Sequence, residues 1–363
     1  MRKQCEEYWL KQGALLNDRY KVVDVIDEGG SGIVYLGEDM ILQRRVSIKE
    51  YFPRRYSTRM AGREEIMTYP GEAKDQFECG LDRFIQEARI LARFESMDGI
   101  VGAKDFFYQN ETAYMVMEYI QGENVSQYVK AHGRMQPEQV LEAMQTILQS
   151  LEYLHQQGVL HWDISPDNII LPEDGTGILV DFGAARQYDE WESSTQTPCF
   201  KRGYSAAEQY AANAPKGAYT DVYGISTTMY FMLTAVQPEE AVQRLLCDRV
   251  IPLTRFSDIK MSRRQKKAIV KGMAVEADDR YETIEQFYDD LYKEEFQYQK
   301  ETLVALLGVI VLSLAASIVF MLSAKCMKTA GIRALLPIRD FLTHNRTYRC
   351  VKPPCCYVRI KPT

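Results

Sequence analysis

Three polar side chains in the middle of the chain have types and spacing suited to magnesium-assisted chemistry on a phosphate. Asp163 and Asn168 lie five residues apart in the segment HWDISPDN, and the apolar run Ile169–Leu171 follows them. Asp181 ends a second apolar run, eighteen residues after Asp163. Carboxylate and amide oxygens are ligands for Mg²⁺, and a further carboxylate can orient a hydroxyl group that attacks phosphorus. The pattern indicates phosphoryl transfer to a hydroxyl group.

A glycine-rich segment nearer the N-terminus could hold the phosphates. Gly29, Gly30 and Gly32 lie between two strand-like runs, where bare backbone N–H groups can approach phosphate oxygens. Twenty residues after Gly29, Lys49 stands among the β-branched residues of VSIK and could face a cleft from a strand. Each feature alone is weak, because most glycine-rich hairpins are simple turns and most strand lysines are solvated.

Taken in chain order, these segments resemble the signature motifs of the protein kinases, specifically the eukaryotic-like (Hanks-type) serine/threonine kinases of bacteria. The matching positions are Gly29, Gly32, Val34, Lys49, Glu87, His161–Asn168, Asp181–Gly183 and Ala206–Glu208. Two later positions also fit: Asp221 resembles the helix aspartate that supports the catalytic loop, and Arg280 resembles the arginine that pairs with Glu208. The resemblance covers about residues 20–297.

The resemblance implies a role for each polar position and implies ATP and Mg²⁺ as cofactors, with Mn²⁺ as an alternative metal. Lys49 would bind the α- and β-phosphates of ATP while paired with Glu87. Asp163 would accept or orient the substrate hydroxyl. Asn168 and Asp181 would ligate the metal.

The resemblance also implies the contacts of the adenine ring. Val34 and Ile170 would enclose the ring from its two faces. Glu118 and Ile120 would belong to the hinge whose backbone holds the adenine edge, with Met117 as the gatekeeper. Without the resemblance, Glu118 is simply the end of a strand.

The sequence departs from the kinase pattern at several positions. Asp27 replaces the first loop glycine. Trp162 replaces an arginine that normally contacts an activation-loop phosphate, which predicts activation without that phosphate. Ser165 stands where serine/threonine kinases usually carry a lysine that steadies the γ-phosphate, and we do not interpret it as inactivating. The 38-residue separation of Lys49 and Glu87 predicts an inserted loop.

Two functional classes remain open at this point. One is an active kinase that phosphorylates Ser or Thr of protein substrates, including itself, and the other is a pseudokinase that acts as an ATP-binding or scaffold module. The presence of every metal and base position favours the enzyme. The activation segment 184–208 disfavours a small-molecule kinase, and Ser165–Asp167 disfavours tyrosine specificity.

The elements that would position these residues form an α+β, bilobal protein-kinase fold. Residues 20–60 contain short β-type runs, whereas apolar residues recur at helical spacing from about residue 138. We expect an N-terminal extension at 1–19 and a kinase domain at 20–297. Its small lobe, 20–117, would hold an antiparallel sheet plus one helix, and its large lobe, 121–297, would be mainly helical.

One further segment stands apart from the predicted kinase domain. Residues 303–324 contain 22 residues without a charge, and as a helix they would extend about 33 Å, enough to cross a bilayer. We predict one transmembrane helix, followed by a basic, cysteine-containing tail at 325–363. The tail charge would place the tail inside by the positive-inside rule. The need for ATP and the lack of a leader instead predict a single-pass cell-membrane protein with its kinase domain in the cytoplasm.

The composition is that of an ordinary globular protein, with 46% hydrophobic and 26% charged residues. The net charge is −6. Because the tail at 325–363 is basic, the rest of the chain is more acidic than this total. An acidic body argues against nucleic acid as a partner. We therefore expect protein substrates and a lipid bilayer as partners.

Overall fold

The computed structural model describes residues 7–30, 32–187, 200–211 and 214–329, with the backbone alone in 294–305, 320 and 323–329. The chain divides into two compact units, Met1–Phe296 and Gln297–Thr363. The first carries both lobes of the predicted kinase domain. Residues 188–199 of the predicted activation segment and the tail from residue 330 lie outside the described residues, so phosphate-independent activation stays a prediction.

The small lobe is built around a six-stranded antiparallel sheet with the order β1-β2-β3-β4-β8-β7. The elements of this lobe are β1 (Leu15–Leu16), β2 (Tyr20–Glu28), β3 (Gly32–Asp39), β4 (Arg44–Tyr51), β5 (Ser57–Arg59), β6 (Ile66–Thr68), α1 (Glu72–Arg93), β7 (Ala103–Gln109) and β8 (Thr112–Glu118). The register pairs Val34 with Lys49 and Lys49 with Met115. The lysine therefore lies on the central strand β4, between the glycine-rich hairpin and the strand that leads to the hinge.

Helix α1 carries Glu87 to the sheet through its apolar stripe. Phe84, Glu87, Ala88 and Leu91 are all buried, at the three- and four-residue spacing of one helix face. An acid on such a stripe must enter the protein interior with the apolar side chains. Its burial is tolerable because a cation meets it there.

The predicted inserted loop between β4 and α1 contains the hairpin β5–β6. A fully buried ion pair between Arg59 and Glu50 fastens this hairpin to the sheet. The hydroxyl groups of Tyr35 and Tyr114 donate to the same carboxylate at 2.8 and 2.6 Å. Because the Glu50 oxygens are bonded from several sides, the charge can stay buried.

The small-lobe core also includes residues from the predicted N-terminal extension. Trp9, Leu10 and Leu16 are buried in the main hydrophobic core, and β1 pairs with β2. The Trp9 indole donates to Glu28 at the end of β2, 3.1 Å away. Residues before position 20 thus pack beside the glycine-rich hairpin.

The large lobe is mainly helical. Its elements are β9 (Glu123–Asn124), α2 (Val125–His132), α3 (Pro137–Gln156), β10 (Val159–Leu160), β11 (Ile169–Leu171), β12 (Ile178–Leu179), β13 (Arg186–Gln187), α4 (Ala218–Thr234), α5 (Ala241–Leu246), α6 (Arg263–Gly272) and α7 (Ile284–Thr329). Val140, Met144, Ile147 and Leu151 of α3 are fully buried, as their spacing predicts. The two-lobed α+β fold predicted from the sequence is confirmed.

Helix α7 begins in the large lobe. Phe287 and Leu291 are buried there, and the Tyr292 hydroxyl donates to the carbonyl of Leu141 at 2.6 Å. Over the described part of the chain, no helix combines the length and the apolar character needed to cross a membrane. The predicted span at 303–324 is therefore not shown.

Candidate active site

A buried lysine joins two carboxylates at the centre of the site. The Lys49 ammonium lies 2.7 Å from Oε1 of Glu87 and 2.7 Å from Oδ1 of Asp181. The three side chains come from β4, from α1 and from the loop after β12. One cation therefore ties the small-lobe sheet, its helix and the large lobe together.

Charge pairing keeps Lys49 and Asp181 ionised. Burial lowers the pKa of Lys49, but the carboxylates of Asp181 and Glu87 outweigh burial and hold that pKa above its usual value. Burial would raise the pKa of Asp181, and the adjacent Lys49 charge outweighs it, so the net shift is downward. Asp181 is therefore an anion at neutral pH, as a metal ligand must be.

The backbone around Asp181 fixes the direction of its side chain. Asp181 has φ = 65°, a left-handed conformation that is uncommon for a residue with a side chain. The Gly183 N–H donates to its Oδ1 at 3.3 Å. Phe182 is buried, with its ring 4.4 Å from the ring of His161, centroid to centroid. Packing of the phenylalanine thus anchors the turn that presents the acid.

Asn168 positions Asp163 and keeps an oxygen for another ligand. Its Nδ2 donates to the Asp163 carbonyl at 2.8 Å and to the Asp163 carboxylate at 3.0 Å. These two bonds engage the amide nitrogen, so Oδ1 is the atom that could act as the predicted metal ligand. The Val180 N–H donates to the Asn168 carbonyl at 2.8 Å, so the strand end that precedes Asp181 lies beside Asn168.

The environment of Asp163 suits a group that handles protons near neutral pH. Burial raises its pKa to about 6, against the opposing effect of Lys201, and the Asp181 charge adds to the rise. A carboxylate with such a pKa is mostly ionised at pH 7 and can accept a proton from a hydroxyl.

The Asp221 side chain on α4 binds the backbone at the start of the predicted catalytic loop, His161–Asn168. Its carboxylate accepts from the backbone N–H groups of His161 and Trp162 at 2.8 and 2.7 Å, and lies 2.8 Å from Nε2 of His155. Trp162 adopts φ = 62°, so these bonds stabilise an uncommon backbone conformation. Gly224 of α4 lets the helix approach closely, since a Cβ there would lie 3.0 Å from the Ile164 carbonyl oxygen.

A second ion pair fixes the C-terminal end of the predicted activation segment. Arg280 is fully buried and makes two bonds to Glu208, at 2.7 and 3.0 Å. The Thr220 hydroxyl donates to the same acid at 2.9 Å. Ala207, where the kinase pattern has proline, is compatible with this arrangement.

The predicted adenine positions lie on both lobes. Val34 of β3 and Ile170 of β11 are partly exposed, and Met117 is buried at the end of β8. Glu118 is exposed and Ile120 is partly exposed. The chain after the predicted hinge runs directly against β11, because a Cβ at Gly122 would overlap the Leu171 carbonyl oxygen. No sequence pattern indicated this contact.

In the glycine-rich hairpin, the Gly29 N–H donates to the Gly32 carbonyl at 2.9 Å. A side chain at Gly32 would overlap the carbonyl oxygen of Glu50, so this position requires glycine. Gly29 and Gly30 have open space around them. Asp27 lies on β2 opposite Val34, at the base of the hairpin.

One lysine in the site was not assigned there from the sequence. The Lys201 ammonium lies 2.9 Å from the Ser165 hydroxyl and 3.4 Å from the Asp163 carboxylate. Thirty-six residues separate Lys201 from Ser165, and no local pattern joins them. The one available signal was the absence of a lysine at position 165.

Comparison with known proteins defines the class of this fold and site. Residues 20–289 match the protein kinase domain family, so the chain belongs to that family. Among its relatives are the serine/threonine-protein kinase PknA of Nostoc (30% identity, 62% of this chain) and the serine/threonine-protein kinase PrkC of Bacillus subtilis (26%, 77% of this chain). The predicted enzyme class, a serine/threonine-protein kinase, is confirmed for the domain.

A solved structure titled "PpkA-294 apo form" is similar over 78% of this chain and 99% of its own, with a TM-score of 0.69 and 30% sequence identity. The match with PknA covers 39% of that relative, and the match with PrkC covers 41%. The chain thus spans about two fifths of the curated relatives that it matches.

Proposed function

We propose that this protein transfers the γ-phosphate of ATP to serine and threonine hydroxyls of proteins, including its own. The observation that carries this proposal is the double contact of Lys49 with Glu87 and Asp181. It brings a cation that would bind phosphate and an anion that would ligate a metal next to the loop that holds Asp163. The serine/threonine kinase relatives support the choice of acceptor.

In the proposed reaction, Asp163 accepts a hydrogen bond from the substrate hydroxyl and aims its oxygen at the γ-phosphorus. The new O–P bond forms as the bond from the γ-phosphorus to the β,γ-bridging oxygen breaks. ADP leaves with that electron pair, and the hydroxyl proton passes to Asp163. Asn168 holds the Asp163 carboxylate in position throughout.

The residues present fit a magnesium ion. Oδ1 of Asn168 and the carboxylate of Asp181 are hard oxygen donors on adjacent segments, and Asp181 is ionised at neutral pH. Two protein ligands suffice for Mg²⁺, since it is usually bound through few carboxylates plus substrate phosphates. When bound, the metal neutralises phosphate charge and polarises the phosphoryl group.

We assign ATP to the cleft between the sheet and β11. Gly29, Gly30 and Gly32 would offer backbone N–H groups to the phosphates, and Lys49 would hold the α- and β-phosphates. The adenine would lie between Val34 and Ile170. The backbone of Glu118 and Ile120 would bind its edge beside Met117.

The test is incubation of the full chain with γ-labelled ATP, Mg²⁺ and a generic basic protein, with Asp163→Asn as the control. Label on the basic protein and on the chain itself is expected from the wild type only. ATP binding is measured on the same preparations. Tight binding without transfer, under Mg²⁺ or Mn²⁺, would establish the alternative, a pseudokinase.

We further propose that residues 303–324 anchor the chain in the cell membrane, with the kinase domain in the cytoplasm. The charge-free sequence supports this proposal. The apolar side chains described in this segment, such as Ile310 and Leu312, are 46% and 71% exposed. Side chains of this kind are stable in contact with lipid, and cytoplasmic ATP requires the catalytic site on that side.

A further inference from the structure

We propose that Lys201 supplies the γ-phosphate contact that the catalytic loop lacks at Ser165. This inference rests on the proposed kinase function and adds a catalytic residue to it. The lysine comes from the activation segment 184–208, whereas the kinase pattern has this lysine in the catalytic loop itself. Its ammonium would contact the γ-phosphoryl oxygens during transfer.

The geometry places the Lys201 ammonium at the reacting end of the site. It donates to the Ser165 hydroxyl at 2.9 Å, and the Asp163 carboxylate lies 3.4 Å away. Ser165 is fully buried, and the Lys201 side chain is 25% exposed. The ammonium therefore lies beside the group that would orient the hydroxyl, on a side chain that is a quarter exposed.

The charges of the site indicate why a further cation is needed near the γ-phosphate. Lys49 is bonded to both Glu87 and Asp181 and belongs to the α- and β-phosphate end. Asp163 adds a negative charge close to where the γ-phosphate must lie. A cation between Asp163 and the γ-phosphate reduces their repulsion and stabilises charge on the transferring oxygens.

The small side chain at position 165 leaves room for the Lys201 ammonium. A lysine at position 165 would fill the space that the Ser165 hydroxyl shares with the Lys201 ammonium. Two ammonium groups there would repel each other. One position must therefore be small when the other is lysine, and the two residues should be exchangeable as a pair.

Local bonds fix the Lys201 backbone. Its N–H donates to the Ser205 hydroxyl at 3.0 Å, and its carbonyl accepts from the N–H groups of Tyr204 and Ser205, each at 3.0 Å. Gly203 within this turn has φ = 81°. The turn leads into the segment that Arg280 fixes through Glu208. The catalytic cation thus reaches the site only when this segment is folded.

The experiment compares four full-length variants with the wild type: Lys201→Met, Lys201→Thr, the exchange Ser165→Lys with Lys201→Thr, and the control Arg202→Met. Arg202 is the adjacent cation, but its side chain is 85% exposed and bonds Glu240. Loss of the Lys201 charge should lower kcat by about a hundredfold or more, as for other groups that stabilise transition-state charge. The exchange should recover at least tenfold of the loss, and Arg202→Met should stay within threefold of the wild type.

Nucleotide binding provides a second readout that needs no turnover. Lys201→Met should weaken binding of a non-hydrolysable ATP analogue with Mg²⁺ and leave ADP binding unchanged, because ADP lacks the γ-phosphate. Equal effects on both nucleotides, or an exchange variant no better than Lys201→Thr at equal thermal stability, would assign Lys201 a structural role and overturn the proposal. If the wild type transfers no phosphate, the kinase function fails, and the binding comparison still decides whether Lys201 contacts the γ-phosphate.

Discussion

Asp163 and Asp181 lie in one site but do different work, and their neighbours account for the difference. Asp181 is held ionised by the Lys49 ammonium 2.7 Å away, which suits a metal ligand. Asp163 is bonded by the Asn168 amide and has a pKa of about 6, which suits a group that accepts a proton. Substitution of each acid should therefore have a different effect on binding.

We expect Asp163→Asn and Asp181→Asn each to abolish phosphoryl transfer. Asp163→Asn should leave Mg·ATP affinity nearly unchanged, whereas Asp181→Asn should weaken it because a charged metal ligand is lost. Titration of each variant with ATP in the presence and absence of Mg²⁺ measures this difference. Asp167→Asn is the control, since Asp167 is exposed beside the same loop. Equal Mg·ATP affinities in the two site variants would contradict the assignment of roles.

His161 should make the stability of the fold depend on pH. Burial lowers its pKa to about 4, and its Nδ1 accepts the Asp163 N–H at 3.2 Å, which requires an unprotonated nitrogen. The unfolded chain has a histidine pKa of about 6.5, so between these values only the unfolded state takes up the proton. The free energy of unfolding should fall by about 2 kcal/mol from this residue between pH 7 and pH 5.

The measurement is urea unfolding of the wild type and of His161→Phe at pH 7 and pH 5. Phenylalanine keeps a ring against Phe182 but cannot be protonated. The variant should lose less stability than the wild type over this interval, by about 2 kcal/mol. The same pH dependence in both proteins would show that the native state accommodates a protonated His161.

At the scale of the elements, the periodicity of apolar residues predicted the buried face of a helix, whereas closeness in sequence did not predict which side chains meet in the site. The repeat on α3 predicted which face of that helix is buried. The pairing of Glu87 with Lys49 was expected from the kinase resemblance, and the structure places Glu87 on the buried stripe of α1. The hairpin β5–β6 was expected only as an inserted loop. Its two strands are three residues each, which is too short to show an alternation of apolar and polar residues. Lys201 reaches Ser165 through tertiary folding alone.

The ion pair between Arg59 and Glu50 should be the main attachment of that hairpin. Arg59→Met should lower the free energy of unfolding by about 3–5 kcal/mol, because it leaves the Glu50 carboxylate buried without its cation. Arg63→Met is the matched control, since Arg63 is exposed in the turn of the same hairpin. Chemical denaturation of both variants measures the effect, and the double variant Arg59→Met with Glu50→Gln should recover part of the loss. A loss below 1 kcal/mol in Arg59→Met would mean that the apolar contacts of the hairpin suffice.

At the scale of the whole molecule, the two-lobed kinase domain followed from motif order, because each motif has a fixed place in that fold. Membrane attachment could be inferred only from the charge-free length of 303–324. The orientation rests on the location of ATP, against the charge of the tail. These two arguments depend on the surroundings of the protein rather than on contacts within it.

Membrane attachment is testable by substitution within the apolar segment. Leu312→Arg with Leu314→Arg should shift the protein from the membrane to the soluble fraction, because each central charge costs about 2.5–3.5 kcal/mol on insertion. Leu312→Ile with Leu314→Ile is the control and should stay with the membrane. Fractionation of cell lysates measures the distribution. A charged variant that remains in the membrane fraction would exclude this segment as the anchor.

The orientation needs a separate measurement on intact cells. A membrane-impermeant thiol reagent is applied to a Cys326→Ser variant after mild reduction, so that Cys350, Cys355 and Cys356 report on the tail. Labelling of intact cells is the expected result. Labelling only after lysis would place the tail inside, as the positive-inside rule predicts, and would contradict a single span with a cytoplasmic kinase domain.

The most direct test of the central claim is the identity of the residue that receives the phosphate. Matched peptides that differ only in one acceptor, Ser, Thr, Tyr or Ala, are incubated with the full chain, γ-labelled ATP and Mg²⁺. The account predicts label on the Ser and Thr peptides, none on the Tyr and Ala peptides, and none with Asp163→Asn. Bound ATP with no labelled peptide, or label on the Tyr peptide alone, would contradict it.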